Sequence, residues 1–356
     1  MPQEQTTGLV SSRPAIHVGG EENPKLGVDL NGLVISENTS GLYRCEASFS
    51  NWGDINNKID YLYFDRRTLD FGKDLEIKRG DKTLFKGKIM AIEANYPAGL
   101  APQISVLAED RFQDLRMTRR TRAFADVSDA DVFNQIANDH GLSPSVNVNG
   151  PTYKLLAQVN QSDLAFMRER ARAIDAEVWM DGNTLNAKTR SSRNGGNLQL
   201  TRGSDLREFK VLADLASQRT SVAVNGWDVS SKSGLQFEAT ESAISPELNG
   251  DRSGISILQS TLGQRKEALA HTVPLNSQEA QAVAEAFFKM SARRFVVGRG
   301  VAETSASLRA GATVEVRNLG PLFNGKYYVT EVVHLFDSKK GLRTEFCAER
   351  PGIGSS

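Results

Sequence analysis

The 356-residue sequence predicts a β-rich α+β chain. Three observations predict this class. Short segments of alternating apolar and polar residues, bounded by turn residues, fill most of the length. Segments with helical spacing are few and lie away from the N-terminal third, and 30 glycines suit a chain with many turns. The length suggests two or three domains, and no apolar run approaches the roughly 18 residues that a membrane span requires.

The formal charges balance, with 43 Lys and Arg against 43 Asp and Glu. A protein whose main task is to neutralise phosphates carries a basic excess, so any basic patch here is local. One such patch exists, with few aromatic residues beside it for base stacking. It favours a subunit interface or a solvated loop over a nucleic-acid contact, and it consists of Arg116, Arg119, Arg120 and Arg122.

The segment from about residue 15 to residue 110 is predicted to form an antiparallel meander of strands without helices. The segment 75–78 alternates cleanly and is followed by the turn 79–82 and the partner strand 84–93. Arg79-Gly80-Asp81 resembles an adhesion tripeptide, but a hairpin turn is needed at this point and explains the residues.

The middle of the chain predicts a small α+β insert. Ser128 is placed to cap a helix that stops at Gly141, and Ser162 is placed to cap a second helix that ends near Asp175. A hairpin follows, with its turn at 181–183.

The last third predicts strands at 206–229, a long amphipathic helix from Ser277 to Arg293, and strands from Val296 to Glu349. The stretch from Ser230 to Gly263 carries only a weak local signal and gives no definite prediction.

Part of the sequence occurs twice, roughly 240 residues apart. Four features keep the same order in both copies, which predicts a duplicated antiparallel β-barrel; chance likeness between β-hairpins is the alternative. The matched pairs are 71–78 with 310–317, 84–88 with 322–326, Glu93 with Glu331, and 106–111 with 345–350.

Two barrels in one chain have a consequence for assembly. Homo-oligomers are mostly closed and symmetric, so three chains would present six similar barrels, a trimer with pseudo-sixfold symmetry. The predicted domains are a tail at 1–14, a first barrel at 15–111, an α+β insert at 112–205, a second barrel at 206–350 with a helical insertion at about 240–300, and a tail at 351–356.

Glycines recur at matched positions of the two copies, at Gly87 and Gly325. A bulge or a close backbone approach would explain them, and packing against a neighbouring subunit is the alternative. The candidate subunit or tube interface therefore comprises Phe85, Gly87, Phe323, Gly325 and Tyr327.

No catalytic, metal or cofactor site is predicted. The histidines His17, His140, His271 and His334 are scattered and are interpreted as surface or strand-end residues. Cys45 and Cys347 are interpreted as buried or half-buried thiols in strands. No pair among the many carboxylates stands out as catalytic.

Two segments resemble a known family. Residues 159–171 (VNQSDLAFMRERA) followed by the strand 177–179, and residues 325–334 with 344–350, are similar to the phage late control gene D protein and the VgrG-type baseplate hub. This family is related to the hubs of T-even phages and of phage-tail-like contractile injection particles.

The resemblance implies a structural, non-enzymatic homotrimer that joins the hexameric rings of an inner tube to a trimeric spike, beside other baseplate proteins. Nucleic acid would at most pass transiently through its channel. VgrG chains continue into a fused spike, whereas this sequence stops at Ser356, so a separate spike protein is expected. The start of the sequence lacks a signal peptide. Synthesis in a bacterial cytoplasm and assembly into a virion tail or injection particle, without membrane insertion, are expected.

Two other classes stay open. One is a tail-associated peptidoglycan hydrolase, for which the carboxylates are the only motive. The other is a β-rich carbohydrate-binding module, which requires a groove lined by aromatic side chains; aromatic residues make up 7% of the chain.

Overall fold

The computed structural model describes residues 13–228, 231–270 and 274–354. Within those ranges, no helix has the length and apolar character that crossing a bilayer requires. The fold is β-rich, with large antiparallel sheets and a few helices, as predicted.

The first part of the chain forms the predicted meander, with one helix that the sequence did not predict. That helix, α1, begins at Pro24, and the side chain of Asn23 caps it by accepting from Leu26 N. Proline suits the first turn of a helix because its missing N–H has no partner there. The elements are β1 Ala15–Val18, β2 Glu21–Glu22, α1 Pro24–Asp29, β3 Leu30–Asn38, β4 Arg44–Ser50, β5 Gly53–Ile55, β6 Lys58–Asp60, β7 Asp74–Arg79, β8 Lys82–Asn95 and β9 Gln103–Glu109.

The segment 112–189 is called the first insert. Both predicted helices are confirmed, with Ser128 and Ser162 as their N-caps, and so is the hairpin that follows them. The elements are α2 Phe112–Arg116, β10 Arg119–Ser128, α3 Asp129–Asp139, β11 Ser143–Asn147, β12 Thr152–Ser162, α4 Asp163–Ala173, β13 Ala176–Asp181 and β14 Thr184–Thr189.

The last part contains the second insert, which runs from β17 to α6. The long helix begins and ends at the predicted residues, Ser277 and Arg293. The stretch with the weak signal contains β18 and α5. The elements are β15 Asn197–Thr201, β16 Leu206–Ala213, β17 Ser221–Asp228, β18 Ser233–Thr240, β19 Arg252–Ser253, α5 Gly254–Leu262, β20 Lys266–Leu269, α6 Ser277–Arg293, β21 Val296–Glu303, β22 Thr313–Arg317, β23 Gly325–Asp337, β24 Gly341–Arg350 and β25 Gly352–Ile353.

One central sheet connects the two halves of the chain. Its strand order is β16-β21-β24-β23-β3-β4-β9-β8-β7-β1-β2, and β22 pairs with β23 while β15 pairs with β22. The two predicted barrels are therefore not separate sheets. The reason is the length of β23, whose first part pairs with β22 and whose second part pairs with β3.

Each half and each insert packs its own apolar core. The core of the first half contains Phe49 and Val106, and that of the second half contains Val296 and Tyr327. The inserts pack around their helices in two further clusters.

The two halves repeat one strand order. In the first half β3, β4, β9, β8 and β7 are neighbours in that order, and in the second half β16, β21, β24, β23 and β22 are. The pairing register also shifts at corresponding places, between Ile89 and Ala91 in β8 and between Val329 and Glu331 in β23.

A pair of backbone hydrogen bonds repeats as well. Gly72 N donates to Ile89 O at 2.8 Å, and Ile89 N donates to Lys73 O at 2.9 Å. In the second half Gly311 N donates to Val329 O at 2.8 Å, and Val329 N donates to Ala312 O at 2.9 Å. Gly72 and Gly311 both have a positive φ, 77° and 89°. This part of the sequence match is therefore in structural register.

The match between the second strands is shifted by two residues. Gly87 lies opposite Leu75, and the residue in the same place of the second half, opposite Val314, is Tyr327. Gly325 lies opposite Val316 instead, so Gly87 and Gly325 are not equivalent. Glu331 and Ala91 each directly follow the register shift of their own strand. Glu331 therefore corresponds to Ala91 and not to Glu93.

Candidate assembly surfaces

Two of the five predicted interface residues are core residues. Phe85 is 3% exposed in the first core, and Tyr327 is fully buried in the second, where its hydroxyl donates to Phe323 O at 2.7 Å. Neither offers side-chain surface to another subunit, and Phe323 packs half-buried against the same core. Packing in the two cores explains Phe85, Tyr327 and Phe323 without a second subunit.

The two glycines are required by their immediate surroundings. A Cβ at Gly87 would overlap the carbonyl group of Glu109, so the backbones of β8 and β9 approach closely there. Gly325 has a φ of 134°, and a Cβ would meet the guanidinium group of Arg350. The close-approach explanation accounts for Gly87.

The basic patch is neither a loop nor a free patch. Arg119 and the residues after it form β10, and Arg120 and Arg122 pair with the buried carboxylate of Asp163 at 3.3 and 2.9 Å. Arg116 pairs with Glu109 at 2.5 Å. These ion pairs occupy most of the cations, which removes the main motive for a phosphate site.

Asp163 also binds His140, whose Nε2 lies 2.8 Å from Oδ2. Burial acts to raise the pKa of Asp163, but hydrogen bonds from His140 and Gln158 hold it below its ordinary value. His140 is thus part of a structural network that ties α3 to the start of α4.

The other histidines that the structure describes form no metal site. Among the described residues, no group of three or more His, Cys, Asp or Glu could hold a metal ion. His17 is half-buried, and His271 lies outside the described residues. The prediction of a surface or strand-end position is wrong for His334, which is fully buried in β23 with Nδ1 2.8 Å from Thr344 Oγ1. Cys45 is buried and Cys347 half-buried, as predicted.

A buried ionic network connects both halves with the first insert. Arg193 donates to Glu177 Oε2 at 2.8 Å, to the Tyr43 hydroxyl at 3.1 Å and to Ala310 O at 2.6 Å. The Tyr328 hydroxyl donates to the same oxygen of Glu177 at 2.6 Å. Burial raises the pKa of Tyr43 to about 12 and raises that of Tyr328 further. Both tyrosines therefore stay neutral at physiological pH.

The central sheet has two different ends. Both inserts leave from one end, the first after Glu109 and the second between Ala213 and Val296. The opposite end carries the connections 51–73 and 96–102 in the first half, but only the shorter ones 304–312 and 338–340 in the second. Strand polarity therefore places both inserts at one end of the sheet.

The long connections at the other end carry an aromatic cluster. Tyr61 stacks on Phe64 with ring centroids 4.8 Å apart, and Trp52 and Tyr96 contact Tyr61 edge-on at 5.1 and 6.4 Å. Trp52 is 43% and Tyr96 62% exposed. We did not predict this cluster, although the density of aromatic residues at 52–64 is a signal that could have revealed it.

One face of the second half is an open concavity of about 640 Å³. Its charged lining is mixed, and every one of these residues projects from the sheet face opposite the core: Glu208, Lys210, Arg299, Glu331 and Glu345. Such a face is not the basic groove that tracks a nucleic-acid backbone.

Solved structures share this fold at low sequence identity. A 43 kDa tail protein of prophage MuSo2 from Shewanella oneidensis is 12% identical, with a TM-score of 0.70, over 95% of this chain and 98% of the other. A tail protein from Neisseria meningitidis is 12% identical, with a TM-score of 0.64, over 96% and 97%. An Escherichia coli component of the type VI secretion system, described as similar to bacteriophage T4 tail proteins, is 11% identical, with a TM-score of 0.58, over 92% and 76%. The fold is therefore that of phage tail proteins.

The family is shown by a sequence model. The model of the Alg8 N-terminal domain matches residues 51–337, well over half of the chain, and the chain belongs to that family. No curated protein matches it.

Proposed function

We propose that the chain is a structural baseplate hub of a contractile tail or a related injection particle. One observation carries this proposal: the same strand order, with the same register shift, occurs twice in one chain. Two equivalent units per chain are what a homotrimer needs to match a sixfold partner on one side and a threefold partner on the other.

The tail-protein fold supports this proposal. The similar structures include phage tail proteins and a component of a type VI secretion system. We infer that each half is a barrel-like unit of a ring of six, and that the partners are hexameric rings of an inner tube and a trimeric spike. The inserts, all at one end, would widen the ring there and face other baseplate proteins.

The work of such a hub is mechanical, and we propose that the chain is not an enzyme. Ion pairs with at least one buried side chain join the halves and inserts at three places, centred on Arg193, Arg293 and Arg309. Arg293 links Asp175 of the first insert to Glu247 of the second, and Arg309 links to Glu37 of β3. Such links hold the halves and inserts in fixed positions relative to one another, which suits a part that transmits thrust.

The second candidate function is that of a carbohydrate-binding module. One observation favours it, the exposed aromatic cluster. Sugar-binding platforms present free ring faces, whereas Tyr61 and Phe64 stack on each other at 4.8 Å. The cluster therefore resembles a packed protrusion more than a sugar platform.

Light scattering combined with electron microscopy of the purified chain tests the proposed function. We expect a trimeric ring with six similar densities around a central channel, and binding to the cognate tube protein. A chain that stays monomeric at high concentration, also with tube or spike protein present, would contradict the hub. Lysis of peptidoglycan that a single Glu or Asp substitution abolishes would instead support the hydrolase.

A further inference from the structure

The contact between the two halves provides a template for the contact between two chains. Within the chain, β23 of the second half pairs with β3 of the first, from Glu331 opposite Asn38 to Asp337 opposite Gly32. The repeat contains a counterpart of each strand, β8 for β23 and β16 for β3.

Both counterparts have a free edge. Among the described residues, no strand pairs with β16 on the side away from β21, and none pairs with residues 91–95 of β8 on the side away from β9. An exposed strand edge is a template for pairing with another chain, and proteins that do not use such an edge usually protect it.

The repeat predicts the register in which the free edges of β8 and β16 would pair. Ala91 follows the register shift as Glu331 does, so Ala94 corresponds to His334. On the other strand, Ile35 pairs with Cys45, which pairs with Ala108.

In the second half Val211 pairs with Gly298, which pairs with Ala348. Ala108 and Ala348 are equivalent, because they lie opposite Ile89 and Val329. Val211 therefore corresponds to Ile35.

We propose that β8 of one chain pairs antiparallel with β16 of a second copy, with Ala94 opposite Val211. The same register places Ile92 opposite Ala213 and Tyr96 opposite Phe209. A head-to-tail contact of this kind closes into a ring when the rotation between units permits. The inference rests on the trimer of the proposed function but not on any role in a tail.

The difference in burial between equivalent residues supports this pairing. Leu33 and Ile35 of β3 are 1% and 0% exposed because β23 covers them, whereas their counterparts Phe209 and Val211 are only half-buried. On the other strand His334 and Phe336 are 0% and 3% exposed, but Ala94 and Tyr96 are exposed. The residues left uncovered are those that the template pairing would bury.

The chemistry of the two edges is complementary. All six residues on the side facing the cores are apolar or aromatic: Ile92, Ala94 and Tyr96 on one edge, and Phe209, Val211 and Ala213 on the other. On the opposite face, Ala91 would lie opposite Asp214 and Glu93 opposite Leu212, which is 61% exposed.

Disulfide cross-linking tests the register. In a C347S background, the E93C/L212C variant should oxidise to covalently linked chains, with a ladder that ends at three. The S36C/V333C variant is the matched positive control, because it places the same pair within one chain. The E93C/E208C variant moves one cysteine four residues along β16, roughly 13 Å, which is beyond disulfide reach.

Two arginine substitutions test the surface without cross-linking. A94R places a charge on the apolar side of the contact and should convert the trimer to monomer. A91R, on the same strand and also exposed, would face Asp214 and should leave the trimer intact. A trimer that A94R leaves unchanged, or that cross-links through E93C/E208C and not E93C/L212C, would overturn the pairing but leave the hub proposal standing. A wild-type chain that is only monomeric would overturn both.

Discussion

A single arginine shows how the parts of the chain are held together. The Arg193 side chain is 2% exposed, and its guanidinium group lies 4.1 Å from the centre of the Trp179 ring while it binds partners in both halves. A planar fork of five donors suits this position better than the point charge of lysine would.

Replacing Arg193 with alanine should destabilise the fold by about 3–5 kcal/mol, because Glu177 is left buried without its cation. Denaturant unfolding measures the free energy. Arg67→Ala is the control, since the Arg67 side chain is 87% exposed, and it should change stability by less than about 0.5 kcal/mol. Equal effects of the two substitutions would show that the buried network contributes nothing.

His334 should make the fold sensitive to acid. Burial, with the nearby charge of Arg309, lowers its pKa from 6.5 to about 3. Between these pH values the unfolded imidazole takes up a proton and the folded one does not, so stability falls as the pH falls, by up to about 1.4 kcal/mol per unit.

The measurement is the free energy of unfolding against pH for the wild type and for His334→Gln. The variant lacks the titrating group and should have the shallower slope between pH 6.5 and 3. Parallel curves would mean that His334 titrates normally in the folded state.

At the residue scale, the sequence predicts the contacts of those residues whose partners are near in the chain. Ser128 and Ser162 were predicted as caps because the groups they bind lie within three residues. Arg193 was not predicted, because Tyr43 is 150 residues away from it. His334 was misplaced because its residue type was taken to indicate an exposed position, whereas it lies on the buried face of β23 together with Val332 and Phe336.

At the scale of elements, the helices and hairpins are the most predictable parts. The helix α6 begins and ends where its apolar stripe predicts, and its N-cap Asn276 was not predicted. The helix α1 was missed because its six residues are too few to show a period. The sequence match between the second strands is wrong by two residues because it follows the similar letters of 84–88 and 322–326, whereas the strand pairing aligns Gly87 with Tyr327. The bulges recur at corresponding places in both halves and do not shift one half against the other.

The second insert should have a stability of its own, because its core forms around α6. Phe288 is fully buried there, so Phe288→Ala should destabilise by about 3–5 kcal/mol. Hydrogen exchange should quicken in β17 and β18 and stay unchanged in β4 and β9. Met290, which is 50% exposed, gives the control Met290→Ala. Uniform acceleration over the whole chain would show a single cooperative unit instead.

At the scale of the whole molecule, the halves differ where assembly would need them to. Both contain the same pairing order, but only the first carries the aromatic cluster, and each carries a different insert. In a trimer, the repeated strands would recur six times and the cluster three times. The repeated strand order was predictable from sequence, whereas the shared sheet was not, because the β23 to β3 pairing joins residues roughly 300 apart in the chain.

The most direct test of the repeated ring is an electron cryo-microscopy reconstruction of the purified chain, computed without imposed symmetry. We predict a closed ring with a mass three times the 38.9 kDa of one chain, in which β8 of each chain lies beside β16 of the next. A reconstruction of a monomer, or of an assembly in which these two edges face solvent, would contradict it.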